Sequence, residues 1–211
     1  MSSETSRSTI LNKIKAALKN STRLPFPDAE GTSSVFQPLQ QDIVVEFAEQ
    51  FTALGGKFAF CANKQELQQH FSLLAQEQSW TKIYATQPQA LSLVAQHRQF
   101  DDIINCQASV TDCEVLVART GTVVLSAQNG GRLTSVYAPI HVCIAFTSQL
   151  VYDISDALSY LTKKHNGKLP SMISFATGPS RTADIEKTLV VGVHGPKEVY
   201  LFLVDDLGET A

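Results

Sequence analysis

The hydrophobic pattern at the start of the chain has the period of a helix. Residues 6–19 place their isoleucines and leucines on one face and most of their basic side chains on the other. The helix lacks large aromatic anchors, so we expect it to pack on protein rather than on a membrane surface. The stretch 21–41 has three prolines and little periodicity, which predicts an extended linker. We therefore expect an N-terminal arm at 1–39 and a main domain at 40–211.

From residue 40 the pattern alternates between the periods of helices and strands. Helical periodicity predicts helices at 43–54, 64–78, 89–97, 150–163 and 182–190. Other apolar runs predict strands at 57–61, 82–85, 102–105, 122–126, 140–146, 172–176 and 198–204, while 110–118 fits either state. Strands that alternate with helices of this length form βαβ units. The sequence therefore predicts an α/β fold with a mostly parallel sheet flanked by helices.

Composition and charge narrow the class of protein. The chain is 44% hydrophobic and 18% charged, with a net charge of −3 and a pI near 5.9. A basic surface for nucleic acid is therefore not expected. The sequence contains neither an apolar run of about 18 residues, as a membrane span needs, nor the apolar core of a signal peptide at its start. We predict a cytoplasmic protein with no nucleic-acid partner and no membrane span.

The four cysteines lack the spacing of a metal or cluster site. Cys61, Cys106, Cys113 and Cys143 include no C-x-x-C pair, and no cysteine–histidine group has zinc or iron–sulfur spacing. Cys61 and Cys143 stand in apolar runs, where a thiol behaves as a small buried hydrophobe. We expect reduced thiols, no metal and no iron–sulfur cluster in this chain.

The segment FATGPSRTADIEKTLVVGVHGP (175–196) contains a candidate anion site. Its loop follows a predicted strand and precedes a predicted helix, whose free N–H groups and dipole would favour an anion. An arginine at the end of the loop adds a fork of donors suited to phosphate or carboxylate. The candidate ligand-binding residues are Gly178, Ser180, Arg181 and Thr182.

Two acids and a histidine follow this loop. Asp184 and Glu186 would lie in the first helical turn, where they could satisfy the dipole or pair with Arg181. The loop would then be an ordinary capped helix start, and residue types alone do not decide between the two. The candidate catalytic groups are His194, Asp184 and Glu186. A histidine bonded to a carbonyl in a tight turn is the simpler interpretation of His194.

Two further loops have glycines and a cation in positions that suit an anion. One opens the strand 122–126, and the other follows it as Asn-Gly-Gly-Arg, which also fits a plain turn. Their candidate binding residues are Thr120, Gly121, Thr122, Gly130, Gly131 and Arg132. Ligands of open α/β sheets bind beyond the carboxyl ends of the strands, so we expect all three loops, at 178–181, 128–132 and 119–121, to lie there. His141, in the strand 140–146, is expected to be a satisfied structural histidine.

Three segments are distinctive when taken together. They are CEVLVARTGTVVLSAQNGGRLTSVYAPIHVCIAF (113–146), SQLVYDISDALSYL (148–161) and GPSRTADIEKTLVVGVHGPKEVYLFLVDD (178–206). They resemble the lactate-utilisation protein C family, also called the LUD-domain family. Family members often carry an acid before Thr-Gly-Thr, where this chain has Arg119.

The resemblance has implications for both fold and function. It implies an α/β fold of the type shared with sugar-phosphate isomerases and CoA transferases. It also implies a role in oxidising L-lactate to pyruvate alongside two iron–sulfur proteins. In that arrangement the clusters are on the partners, and this chain binds no cofactor of its own.

Three functions remain open from the sequence. The first is a cluster-free subunit of a lactate-oxidising system, in which the loop at 178–182 binds a small carboxylate or docks a partner. The second is a stand-alone α/β enzyme acting on a phosphorylated or CoA-linked small molecule, with Glu114, Asp184 or Glu186 as its carboxylate. The third is a scaffold or regulatory subunit that binds a partner through the N-terminal helix. Whether the chain forms a homo-oligomer is also open.

Overall fold

The structure is a computed structural model that describes residues 6–19, 38–95, 97, 99–128, 130–185 and 188–208. The helices are α1 (Ser6–Leu18), α2 (Ile43–Ala53), α3 (Lys64–Glu77), α4 (Pro88–Val94) and α5 (Ile154–Lys164). The strands are β1 (Lys57–Cys61), β2 (Ile83–Ala85), β3 (Ala108–Asp112), β4 (Val115–Val117), β5 (Thr122–Ser126), β6 (Ile140–Phe146), β7 (Leu150–Val151), β8 (Ile173–Ala176), β9 (Arg181–Ile185), β10 (Thr188–Val191) and β11 (Glu198–Val204).

A five-stranded parallel sheet forms the centre of the main domain. Its strand order is β1-β11-β6-β3-β2, and every neighbouring pair is parallel. Strands buried on both faces are continuously apolar, as most of β11 and of β6 are. The α/β fold with a mostly parallel sheet flanked by helices is confirmed.

The two faces of the parallel sheet pack against different layers. Val142 and Ile144 of β6 point toward α3 and α4 and pack with Phe71. Cys143 and Ala145 point the opposite way, because side chains alternate along a strand. Their face packs on α2 and on a second sheet.

The second sheet has four strands in the order β7-β4-β5-β8 and is mixed. β5 pairs antiparallel with β4 and β8, whereas β7 pairs parallel with β4. Leu116 and Leu125 point into the core between the sheets, and Val115 and Val124 point outward to Leu161 of α5. The main domain thus has α3 and α4, the parallel sheet, the second sheet together with α2, and α5 in successive layers.

The chain divides into two compact units, residues 1–38 and 39–211. In the first unit, α1 confirms the predicted helix. No residue of α1 is buried, and its apolar residues Ile10, Ile14 and Leu18 are exposed. In the part of the chain that the structure describes, no helix is long and apolar enough to cross a membrane.

Most predicted elements are confirmed, with shifts at their ends. The strands at 57–61, 122–126, 140–146 and 198–204 have the predicted bounds. The helix predicted at 150–163 begins later, because Asp153 caps it by accepting a hydrogen bond from Ser155 N at 3.0 Å. The two residues at 150–151 form β7 instead.

Two predicted elements are wrong. Residues 102–105 form a turn rather than a strand, since Asp102 accepts a hydrogen bond from Ile104 N at 2.8 Å. The helix predicted at 182–190 is a hairpin of β9 and β10, paired antiparallel through Thr182 and Val190. The segment is rich in β-branched residues, which favour strands over helices.

Candidate functional site

The loop Gly178–Arg181 packs on the carboxyl end of α2. Gly178 has a φ of +83°, and a Cβ there would come 2.8 Å from the carbonyl oxygen of Leu54. Arg181 donates a hydrogen bond to the same carbonyl. A basic side chain in this position satisfies a free carbonyl at the end of a helix. The contacts described for Gly178 and Arg181 are therefore structural.

The predicted helix start beside this loop does not exist. Because β9 follows the loop, there is no helix dipole to attract an anion, and this physical basis for the anion site is wrong. The alternative of a capped helix start is wrong for the same reason. Glu186 and the side chain of Asp184 lie outside the described residues, so their pairing with Arg181 and their catalytic roles stay predictions.

The loop at 119–122 also packs on α2. Gly121 has a φ of +57°, and a Cβ there would come 2.4 Å from the backbone nitrogen of Phe51. Thr122 Oγ1 lies 2.7 Å from Thr120 Oγ1 and 2.9 Å from Thr177 Oγ1. This hydroxyl cluster ties the loop to the residue that follows β8.

Arg119 is held by an ion pair. Its Nε lies 2.6 Å from Asp153 Oδ2 at the start of α5. A hydrogen bond from the Ser155 backbone, together with Arg119, keeps the pKa of Asp153 below its usual value. Arg119 therefore joins the second sheet to α5.

The glycine loop at 130–132 lies near the end of β2, whereas the other two loops pack on α2. Gly130 has a φ of +92° and approaches Thr86 and Gln87, which follow β2. Gly131 N donates to Ala127 O at 3.1 Å, and Arg132 is exposed. The contacts described for Gly130 and for Gly178 thus involve different neighbours. Anion binding at Gly130, Gly131 and Arg132 stays a prediction.

A cavity of about 170 Å³ lies between the two sheets. His141 and Val199 of the parallel sheet line one wall, and Ser174 and Ala176 of β8 line the other. The loops around it contribute Ser135, Val136, Gly178, Ser180, His194, Gly195 and Pro196. The cavity is at the amino ends of β6 and β11. The expectation that the loop Gly178–Arg181 lies at the carboxyl ends of the parallel strands is wrong, because it follows a strand of the second sheet.

Backbone hydrogen bonds bring the two halves of the 175–196 segment together at this cavity. Ser180 N donates to Pro196 O, and Gly192 N donates to Ser180 O, each at 2.9 Å. His194 is exposed at the mouth and also lines an adjoining cavity of about 490 Å³ with Tyr137 and Lys197. Ser180 and His194, both predicted site residues, therefore border one cavity.

His141 occupies the inner end of the cavity. It is 2% exposed, and its Nε2 lies 2.8 Å from Thr111 Oγ1 of β3. Burial lowers the pKa of His141 to about 4, so the imidazole is neutral at neutral pH. The expected hydrogen bond is present, but His141 also lines the cavity.

The sequence pattern does not single out Ser109, a buried polar residue that is not among those lining the cavity. It lies directly opposite His141 in the register of β3 and β6 and is fully buried. Its hydroxyl has no hydrogen-bond partner among the described residues. The available signal was the alternation Ser109, Thr111 in the run ASVTD, which puts two hydroxyls on one face of a buried strand.

Glu114 does not line this cavity. It is 2% exposed, and it accepts hydrogen bonds from Ser126 at 2.6 Å and Lys164 at 2.7 Å. Burial alone would raise the pKa of Glu114, but these two hydrogen bonds outweigh it and lower the pKa. Both carboxylate oxygens are thus engaged, Oε1 by β5 of the second sheet and Oε2 by the last turn of α5.

The cysteines do not converge on a cluster site. All four are buried and free. A hydrogen bond with Cys143, and then burial, raises the pKa of the Cys113 thiol well above its usual value. Within the described ranges, no three His, Cys, Asp or Glu side chains are grouped so as to hold a metal ion.

Fold and cavity together define an α/β protein with a small polar site between two stacked sheets. Residues 80–204 match the model of the LUD domain family, and the chain belongs to that family. The fold is similar to the crystal structure of a DUF162 family protein from Deinococcus radiodurans, with a TM-score of 0.58 and 17% identity over 79% of this chain and 99% of that one.

Curated relatives match the chain over a shorter region. It is 40% identical over 99 residues to lactate utilization protein C of Shouchella clausii, covering 46% of this chain and 43% of the relative. It is 40% identical over 100 residues to lactate utilization protein C of Bacillus subtilis, covering 46% and 42%. The match therefore spans less than half the length of these relatives.

Proposed function

We propose that this chain is a subunit of a lactate-oxidising system. In that system L-lactate loses two electrons and two protons to become pyruvate, and the electrons pass to two iron–sulfur partner proteins. This chain contributes no cluster. The observation that carries the proposal is the match to the LUD domain together with relatives named for lactate utilisation.

The structure supports a ligand-binding part for this subunit. The cavity borders Ser180 and His194 of the segment that carries the family resemblance, and it is open to solvent at His194. A neutral imidazole and several hydroxyls line it, which suits hydrogen bonding to a small polar molecule. We infer that this cavity, rather than Arg181, is where the subunit meets its ligand.

A growth assay tests the proposed function. The gene is deleted in the organism that carries it, and growth on L-lactate is compared with growth on glucose. Loss of growth on lactate alone, restored by the intact gene, is expected. Equal growth of the deletion strain on both carbon sources would contradict the proposal.

Purification tests the proposed partners. The tagged protein is isolated without oxygen from cells grown on lactate, and the eluate is assayed for iron and for lactate-dependent dye reduction. We expect two iron–sulfur proteins to co-purify with that activity. An iron-free and inactive protein would contradict the subunit role and favour a stand-alone enzyme, to be screened with sugar phosphates and acyl-CoAs.

A further inference from the structure

We propose that β1 is a self-association surface, at which two copies of this chain pair antiparallel and join their five-stranded sheets into one continuous sheet. The occupant of this sheet edge is a second copy of the chain. The inference concerns assembly and does not rest on the proposed function.

The two edges of the parallel sheet differ. At one edge, Ile83 of β2 pairs with Gln99 in an isolated bridge, and Phe100 N donates a hydrogen bond to Ile83 O at 2.9 Å. At the other edge, β1 pairs with β11 and with no other strand of the described residues. An uncovered edge strand presents a row of N–H and C=O groups that is a template for pairing with another chain.

The backbone groups that face the open edge belong to Phe58 and Phe60. Cys61 O accepts a hydrogen bond from Asp205 N at 2.8 Å, so the backbone groups of Cys61 point toward β11. These groups alternate in direction along a strand, so Ala59 also points toward β11, whereas Phe58 and Phe60 point away from it. Each of the two phenylalanines offers one donor and one acceptor at the edge.

This short row is complementary to itself. When two copies of β1 run antiparallel with Ala59 opposite Ala59, Phe58 of each copy lies opposite Phe60 of the other. Both members of such a pair direct their N–H and C=O groups at one another, so the two pairs form four hydrogen bonds. A twofold axis at Ala59 therefore satisfies the backbone groups of β1 that face the edge.

The side chains on one face of the sheet favour this register. Phe58 packs on the core cluster that includes Phe47 of α2, whereas Phe60, on the same face, is 43% exposed. In the paired strands, the exposed ring of Phe60 packs against Phe58 of the second copy. Such cross-strand aromatic pairs stabilise antiparallel strands.

The opposite face of the edge carries a second apolar surface. Leu73 of α3 is 57% exposed, and it lines a cavity of about 290 Å³ together with Ala59 and Leu74. Because the twofold axis is perpendicular to the sheet, α3 of the second copy lies on the same side of the joined sheet. Pairing of the two strands therefore brings the two α3 helices together over this surface.

Charges at the two ends of the strand are complementary. In this register Lys57, whose side chain is 48% exposed, lies opposite Cys61 of the second copy. The next residue, Ala62, donates its N–H to the carboxylate of Glu66 at 2.6 Å, so an acid marks that end of the strand. Lys57 of each copy thus approaches Glu66 of the other, and charges of opposite sign fix the register.

Light scattering of the purified full chain, over a range of concentrations, measures the oligomeric state. We expect wild type to have twice the 23.0 kDa mass of one chain. Phe60→Lys places a charge where the strands meet and should weaken the dimer by about 100-fold, which is about 10-fold for each copy. Leu158→Lys, at a leucine of α5 that is 46% exposed, is the matched control and should leave the dimer unchanged.

A cysteine variant tests the register without disturbing the aromatic pair. Ala59→Cys puts two thiols in directly opposite positions with Cα atoms about 4.5 Å apart, within the range of a disulfide. Glutathione disulfide is the oxidant: the two thiols lose two electrons and two protons, and the oxidant becomes two molecules of glutathione. We expect a covalent dimer on a non-reducing gel. The four native cysteines are buried, and Ser171→Cys, at an exposed serine, is the control.

Any of three results overturns the proposal. A monomer at every concentration removes the interface, even where an extended peptide of another protein binds the edge. A dimer that Phe60→Lys does not weaken, while circular dichroism shows the variant folded, uses another surface. A dimer in which Ala59→Cys crosslinks no more than Ser171→Cys does not have this register.

Discussion

Lys164 Nζ donates a hydrogen bond across 2.7 Å to Glu114 Oε2, and this contact ties the last turn of α5 to the turn between β3 and β4. Glu114 is 2% exposed, whereas the side chain of Lys164 is 42% exposed. The buried carboxylate of Glu114 is therefore the charged group that this contact stabilises. A buried carboxylate needs its donors far more than an exposed ammonium needs its acceptor.

Replacing Glu114 with Gln should lower the free energy of unfolding by about 2 kcal/mol, a value reduced from the fully buried case because Lys164 remains in water. The loss is measured by urea denaturation at pH 7. The control is Glu77→Gln at the exposed end of α3, which should stay within about 0.5 kcal/mol of wild type. Equal effects of the two variants would show that the contact contributes nothing.

Stability should fall between pH 6.5 and pH 4 because of His141. Its pKa in the folded protein is about 4, against an ordinary value of 6.5. As the pH falls through this window, the imidazole binds a proton in the unfolded chain but not in the folded protein. Protonation therefore stabilises the unfolded state relative to the folded state. The full loss is on the order of 3 kcal/mol.

Urea denaturation at intervals from pH 7.5 to pH 4.5 measures this dependence. His141→Gln should be less stable at pH 7 but should lose less stability on acidification than wild type. His194→Gln, at an exposed histidine, is the control and should keep the wild-type slope. If His141→Gln also keeps that slope, another group causes the acid sensitivity.

Gly121→Ala should be strongly destabilising, by about 3 kcal/mol, because it combines a left-handed φ with a clash against the backbone of α2. Gly131→Ala is the matched control. Its φ is +95°, but no atom of the described residues lies within 4 Å of a Cβ there. That variant should lose only about 1–2 kcal/mol, the cost of the backbone conformation. Thermal melts of both variants show whether glycine is required at position 121 because of the close approach of α2 or because of its left-handed backbone conformation.

Arg181→Ala should lower the free energy of unfolding by about 1 kcal/mol, since it removes the donor that satisfies the Leu54 carbonyl. We expect binding of lactate and pyruvate to be unchanged, because the structure gives Arg181 a contact with α2. Arg132→Ala, at an exposed arginine, is the control for loss of a positive charge. A selective loss of acid binding in Arg181→Ala would return Arg181 to the ligand site.

The local hydrophobic pattern was sufficient to predict most helices and strands of the main domain. The continuous apolar runs at 122–126 and 140–146 predicted buried strands because a strand covered on both faces has no polar side. Ser180 and His194, which the sequence proposed for binding and catalysis, border one cavity, and their roles there stay predictions. Apolar runs are short-range properties of the chain, so the folded structure keeps the strands that they predict.

The sequence by itself thus determined the fold class and most of the strands and helices of the main domain. Tertiary structure decided the rest. It converted 182–190 from a helix into a hairpin, because the two segments pair with each other. It assigned Gly121, Gly178 and Arg181 to contacts with α2, which is more than 60 residues away in the chain. It placed Ser109 opposite His141 and left that serine without a partner among the described residues, because strand register is set by long-range pairing that no local pattern records.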